Sequence, residues 1–283
     1  MADEILNSAA GGGAPPRGPL AGEILESNRQ FIDTWGMYAR RAANGVVTTL
    51  PAGIEVTASR VTMPLLNMLF LGSPVADSVD FARRADAAVA YGHELRLPWM
   101  LTVCEDWLPS STRAEAATIL GARGVVLSSL ATGMVADRLA PPRRPAPPLE
   151  IVPVSGRAER IALADLNCAA YGMPLEWGHE ALDREEIFAP DVFGFLGIAG
   201  GKPVSTATTA LVDGRLYVML VATAAAEERK GYAEAVMRHS LARAAAATGA
   251  TRTVLHATEA GAPLYASMGY RSVARFTMYG QAH

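Results

Sequence analysis

The sequence predicts an α/β fold on a mixed sheet, laid out in two similar halves of a 283-residue chain. Short apolar runs of strand length alternate with longer stretches of helical period, the pattern of α/β units. The same order of elements reads twice: helix, hairpin strands, long helix, strand, short helix, strand. Between the two copies, residues 140–148 read APPRRPAPP, where the prolines remove backbone donors and fix an extended path. These features predict a flexible tail at residues 1–19, a unit at 20–139, a Pro-rich linker at 140–148 and a second unit at 149–283.

In the first half, a helix at Glu23–Ala43 precedes strands at Val46–Leu50, Ile54–Arg60 and Leu65–Leu71. A helix at Ser78–Glu94, a strand at Pro98–Cys104, a helix at Arg113–Leu120 and a strand at Val125–Leu130 follow. In the second half, strands fall at Leu149–Val154, Val192–Ala199, Pro203–Val212 and Arg215–Thr223. Asp213-Gly214 joins the last two as a hairpin turn, since glycine tolerates the positive φ required there. A helix then runs from Gly231 to Thr248, with Ala233, Val236, Met237, Leu241 and Ala244 on one face and Gly249 as its stop. A strand at Arg252–Ala257, a short helix at Gly261–Met268 and a strand at Ser272–Tyr279 close the chain.

Half the residues are apolar and 19% are charged, enough to bury a sizeable core and to exclude wholesale disorder. A net charge of −3 argues against a nucleic-acid or anionic-membrane binder held by bulk charge. Two distant cysteines, Cys104 and Cys168, exclude a disulfide framework and a Cys-based zinc site, and no metal is expected. The longest apolar run, Met63–Gly72, is far below the ~20 residues of a membrane span, and no secretory signal is visible. A soluble cytoplasmic protein, monomer or homodimer, is the expectation.

The most informative stretch is Val221–Ala233, VATAAAEERKGYA, in which a strand ends, a polar loop follows and a glycine opens a long helix. The first amides of a helix lack intrahelical partners and carry the positive end of its dipole, so such an end suits phosphate. On this segment alone, a phosphate loop and an ordinary helix start read equally well. The stretch Leu264–Tyr270, LYASMGY, directly before the last strand, separates the two readings.

Together these segments resemble the GNAT superfamily of N-acetyltransferases, with its R/Q-x-x-G-x-G/A loop for acetyl-CoA and its later L-Y-x-x-x-G-F/Y motif. The resemblance covers the second half; the first echoes it in element order only and implies a degenerate copy in a tandem arrangement. It places Glu228, Arg229, Lys230, Gly231, Tyr232 and Ala233 at the pyrophosphate of acetyl-CoA, the co-substrate. Glu228 departs from the usual Arg or Gln, and Arg229 and Lys230 offset its charge. It also places Val221, Ala222 and Thr223 on a strand that splays from its neighbour beside the pantetheine arm and thioester. Tyr265 matches a general acid that protonates the departing CoA thiolate; phenol and thiol pKa values of about 10 and 8.5 make that transfer nearly balanced.

For the acceptor amine the candidates are Tyr171, Met173 and Trp177 as lining and Glu176 and His256 as bases, with water-mediated deprotonation ranked ahead of both. The first half has no phosphate loop: Leu71–Ser78 reads LGSPVADS, without a basic residue. Completing the acceptor pocket is its expected role, and Arg143-Arg144 read as solvated surface charges. The expected function is direct acetyl transfer from acetyl-CoA to the amine of a small molecule or amino-acid-like acceptor. A non-catalytic acyl-CoA-binding or sensing module is the alternative.

Overall fold

The computed structural model describes residues 19–282. Helix α1 (Pro19–Arg40) leads to strands β1 (Val46–Leu50), β2 (Ile54–Ala58) and β3 (Asn67–Leu71). Helix α2 (Ser78–Leu95), strand β4 (Met100–Cys104), helix α3 (Ser110–Gly121) and strand β5 (Val125–Ala136) complete the first half. The second holds β6 (Glu150–Pro153), α4 (Arg157–Tyr171), α5 (Leu175–Leu182), β7 (Val192–Ala199), β8 (Lys202–Val212) and β9 (Arg215–Thr223). It ends with α6 (Tyr232–Thr248), β10 (Thr253–Ala257), α7 (Ala262–Ser267) and β11 (Arg271–Gln281).

Helices α4 and α5 have no counterpart among the expected elements, which are otherwise followed closely except at three places. Residues 1–18 of the expected tail lie outside the described residues, and Pro19 opens α1, where its fixed φ suits a first helical position. The strand expected from Leu65 begins at Asn67, because Pro64–Leu66 forms a 3₁₀ turn and the Asn67 side chain bonds the Val61 and Pro98 carbonyls. The strand expected at Val125–Leu130 runs on to Ala136, since partners on both sides take up its backbone groups.

Among the described residues, eleven strands form one sheet in the order β1-β2-β3-β4-β11-β5-β10-β9-β8-β7-β6. The chain's last strand, β11, lies between β4 and β5, antiparallel to both. Reciprocally, β5 from the first half lies between β11 and β10. The separation into independent units expected at residues 140–148 therefore does not divide the sheet: each half supplies the strand that hydrogen-bonds the other's inner edge. About this central pair the order is matched, with parallel pairs β3–β4 on one side and β9–β10 on the other.

Helices cover both faces. Along β9, Tyr217 and Met219 join the core shared with α1 and α4, while Leu216 and Val218 join the core under α6 and α7. This is the alternation of a strand covered on both sides. Helix α1 crosses the centre of the sheet, touching β1, β2, β5, β8, β10 and β11. It buries Phe31, Ile32, Met37 and Tyr38, each contributing about 1.5–3 kcal/mol by removal from water.

An ion-pair network fixes α1 to the second half. Arg252 bonds Glu26, Glu23 and Asp137, Arg215 bonds Glu26, and Arg271 bonds Glu23. The Arg271 hydrogen bond holds the Glu23 carboxyl below its usual range, against the opposing effect of burial. Burial pushes Glu26 upward, but its bonds to Arg252 and Arg215 outweigh this and leave its pKa lowered. Depressed carboxylates stabilise the fold above their unfolded pKa and lose that contribution as pH falls through the folded value. Arg252→Ala should therefore destabilise by about 1.5–3 kcal/mol in urea melts at neutral pH. The gap to wild type should narrow below about pH 4.5, as both glutamates protonate. A gap that does not change with pH would assign the effect to packing of the arginine stem.

Candidate active site

The site is built where β9 and β10 part. Their parallel pairing runs from Leu216 with Thr253 to Val218 with Leu255 and stops, although β9 continues to Thr223 and β10 to Ala257. Leu220 has φ of +51°, and the β8–β9 register slips between Thr206 and Thr208. A bulge of this kind sharpens the twist of its strand, turning the edge of residues 219–223 away from β10. That edge, with Val221, Ala222 and Thr223, keeps backbone groups with no partner in β10.

Past the edge, a short 3₁₀ turn at Ala225–Glu227 leads into Glu228–Lys230 and α6. Arg229 (φ +62°) and Gly231 (φ +91°) are both left-handed, and no side chain caps the start of α6. Tyr232 and Ala233 form its first turn. Glu228 and Arg229 are exposed, and Lys230 pairs with Glu227 at 2.8 Å. Two carboxylates and two cations thus balance within residues 227–230.

Arg144 tips that balance. It is exposed, as expected of a solvated surface charge, and it also donates to the Arg229 carbonyl at 3.3 Å. Its guanidinium lies 3.0–3.2 Å from the point that a Cβ on Gly231 would occupy. The Pro-rich segment is docked to bring it there: Ala140 N–H donates to Met268 O, and Arg238 donates to Ala140 O, both at 2.8 Å. Composition identified the segment's extended path; nothing local to it reports which helix it lies along.

The corresponding place in the first half is closed. Beyond the β3–β4 pair, Val75 N–H donates to Trp107 O at 3.0 Å. Arg84 fills the preceding loop, donating to Ser73 and Pro74. The Asp77 carboxylate accepts from Val79 and Asp80 amides at the start of α2, the groups a phosphate would need.

Below the split lies a cavity of about 170 Å³. The first half contributes α1 (Phe31, Trp35, Tyr38), the Met63–Leu66 turn and Ala131 of β5; residues from β9, β10, β11, α4 and α5 complete it. Of the expected acceptor residues, Tyr171, Met173 and His256 line it, with Tyr171 half exposed at its rim. Glu176, on the outer face of α5, and Trp177, packed against the core, are not brought to it. Phe31, Trp35 and Tyr38 were missed, because no sequence signal links the first helix to a site in the second half.

His256 stacks on Phe31 at 3.9 Å between centroids, with Tyr217 Oη 2.8 Å from Nδ1 and Ser27 Oγ 3.2 Å from Nε2. Burial pushes its pKa down to about 3, so the ring is neutral and a weak base. Tyr265 is buried on α7, and burial, reinforced by Tyr171, raises its pKa well above that of a free phenol. Nearby Tyr270 is tied to Thr253, whereas the Tyr265 hydroxyl has no side-chain partner among the described residues. Cys104 is buried, and its thiol is pushed up to about 12, which leaves it inert as a nucleophile. Among the described residues, no cluster of His, Cys, Asp and Glu is suited to a metal, and no helix is long and apolar enough to cross a membrane.

A mixed sheet whose parallel pair splits beside an uncapped helix start defines the GNAT-like class of α/β folds. Residues 161–270, which contain the split and both loops, match the model of the Acetyltransferase (GNAT) family. Solved structures share the fold over most of the chain. A GCN5-related N-acetyltransferase from Kribbella flavida is 18% identical with a TM-score of 0.67, over 92% of this chain and 96% of that one. A functionally unknown conserved protein from Staphylococcus epidermidis is 12% identical with a TM-score of 0.60, over 84% and 94%. A tandem GNAT protein from the clavulanic acid biosynthesis pathway is 13% identical with a TM-score of 0.50, over 91% and 95%. No curated protein matches the sequence.

The His256 environment gives a direct test by NMR. Its imidazole resonances should stay at neutral-ring positions from about pH 8 to about pH 5, where a free histidine titrates near 6.5. A midpoint near 6.5 would mean that the ring is open to water.

Proposed function

We propose that the protein is an acetyl-CoA-dependent N-acetyltransferase acting by direct transfer, in which the second half holds acetyl-CoA and the first is a degenerate copy that completes the acceptor pocket. The observation that carries this reading is the end of β9–β10 pairing at Val218 beside the uncapped start of α6. Residues 229–233 and Arg144 suit the diphosphate, through amides and one extra cation. The edge at Val221–Thr223 suits the pantetheine arm, whose amides need backbone partners. The closed loop and capped helix of the first half support its assignment as the inactive copy.

Bound acetyl-CoA supplies an activated acetyl thioester. A backbone N–H of the Val221–Thr223 edge donates to the carbonyl oxygen as negative charge builds there, an effect of about 3–4 kcal/mol in comparable sites. The amine attacks from the cavity after losing a proton. His256 is too weakly basic to take it and Glu176 faces away, which favours relay through water. Tyr265, protonated across the working pH range, gives its proton to the thiolate as the C–S bond breaks. The adduct nitrogen gives up its extra proton through water, which restores the Tyr265 phenol, and the products are an acetamide and CoA.

Two experiments test this reading. Arg144→Ala should weaken acetyl-CoA binding about 5–15-fold by calorimetry, as expected for one charge-assisted hydrogen bond to phosphate. Gly231→Glu should abolish binding, by setting an anion at the phosphate position and straining a left-handed residue. Unchanged affinity in both variants would place the phosphates elsewhere.

Tyr265→Phe should lower kcat about 10²–10⁴-fold with little change in the KM for acetyl-CoA. Wild-type turnover by a folded Phe variant from about pH 6 to 9 would leave solvent as the proton source. Binding of acetyl-CoA without turnover on any amine would favour the sensing module.

A further inference from the structure

We infer that the acceptor is a compact amine on an uncharged apolar body, and that Asn167 receives one of its N–H groups. This rests on the transferase reading above, which places the reacting thioester at the β9 edge that forms one wall of the cavity.

The walls set the class of ligand. Phe31, Trp35 and Tyr217 supply flat aromatic surface, and Met63, Met219 and Met278 supply adaptable thioether surface. Among the described residues, the lining contains no Lys, Arg, Asp or Glu, and its one imidazole is neutral. A carboxylate brought into this space would lose its hydration with no cation to replace it, a penalty of several kcal/mol. An α-amino acid is therefore a poorer ligand than the amine lacking that carboxylate: both must shed the ammonium charge before attack, and the amine has no second charge to bury. At about 170 Å³ the cavity is smaller than the ~300 Å³ of a small drug-sized site, which limits the body to one ring system or a short branched chain.

Asn167 adds the polar element. It lies on α4 against the cavity and is 1% exposed. Its Nδ2 donates to Leu163 O at 2.8 Å, which fixes the orientation of the amide and leaves Oδ1 buried with no partner. An orphaned buried acceptor is destabilising, and a leucine would fit the same apolar surroundings without that cost. A ligand carrying an N–H satisfies it. A longer acyl chain would suit the same walls but has no donor to offer, so the orphaned oxygen favours the amine as occupant.

The test compares matched pairs that differ only in a carboxylate: 2-phenylethylamine with phenylalanine, and tryptamine with tryptophan. Thiol release from acetyl-CoA gives the rates, and calorimetry with each of the four compounds gives binding whether or not turnover occurs. The amines should exceed the amino acids at least about 100-fold in kcat/KM or in affinity. Parity, preference for the amino acids, or no binding by any of the four overturns the proposal. So does an order-of-magnitude preference for octanoyl-CoA over acetyl-CoA, which would assign the cavity to the acyl chain.

Asn167→Leu should raise the KM or Kd for the amine about 5–10-fold, leave acetyl-CoA affinity unchanged and leave Tm equal or higher. A lower Tm with unchanged amine affinity would make Asn167 structural and overturn its role. Loss of acetyl-CoA binding in the wild-type protein would instead defeat the transferase reading, and calorimetry with acetyl-CoA alone distinguishes that case.

Discussion

The antiparallel pair of β5 and β11 is the constraint on which the other features depend. Each strand is covalently part of one half and hydrogen-bonded into the other, β11 to β4 and β5 to β10. Withdrawing either would leave two rows of backbone groups unpaired in the middle of the sheet, a cost far above any single side-chain contact. The halves therefore share one sheet, and α1 can run across its centre with Phe31 against His256 on one side and Phe70 on the other. The arginine–glutamate network at the start of α1 holds that placement from outside the core.

Within this shared frame the two halves treat the same structural opportunity in opposite ways. Both have a parallel strand pair joined through a loop and a long helix. In the first half, Asp77 takes the helix amides and Arg84 fills the loop, with Asp80 held down to about 2 chiefly by its hydrogen bond to Arg84. In the second, glycine occupies the cap, the amides stay without a side-chain cap, and the strand edge bends away at Leu220. A carboxylate at a helix start and an anionic ligand at the same place are mutually exclusive, for reasons of charge as well as space. One half is closed by its own residues, and the other is left open.

The cavity is a property of neither half alone. Its aromatic wall comes from α1 and Tyr217, its strand edge from β9 and its rim from α4. Bringing three elements of distant sequence together encloses an apolar volume next to a polar strand edge. That is the arrangement needed to hold a substrate's body away from water while its reacting group faces backbone donors.

The sequence by itself determined the α/β class, the strands and every helix but α4 and α5, and the strand–loop–helix at Val221–Ala233 with its glycine. These are local: period, turn residues and caps act within a few residues of one another. Tertiary structure alone decided that the last strand inserts into the first half, because strand pairing is set by long-range edges that composition does not encode. It also decided that Arg144 reaches Gly231 along a segment that reads as a mere linker, and that Phe31, Trp35 and Asn167 face the cavity. It excluded Glu176 and Trp177 from that cavity, since adjacency in sequence does not settle which side of α5 packs on α4. Contacts between residues more than a hundred positions apart depend on how whole elements pack, and here that packing assembled the candidate acceptor site.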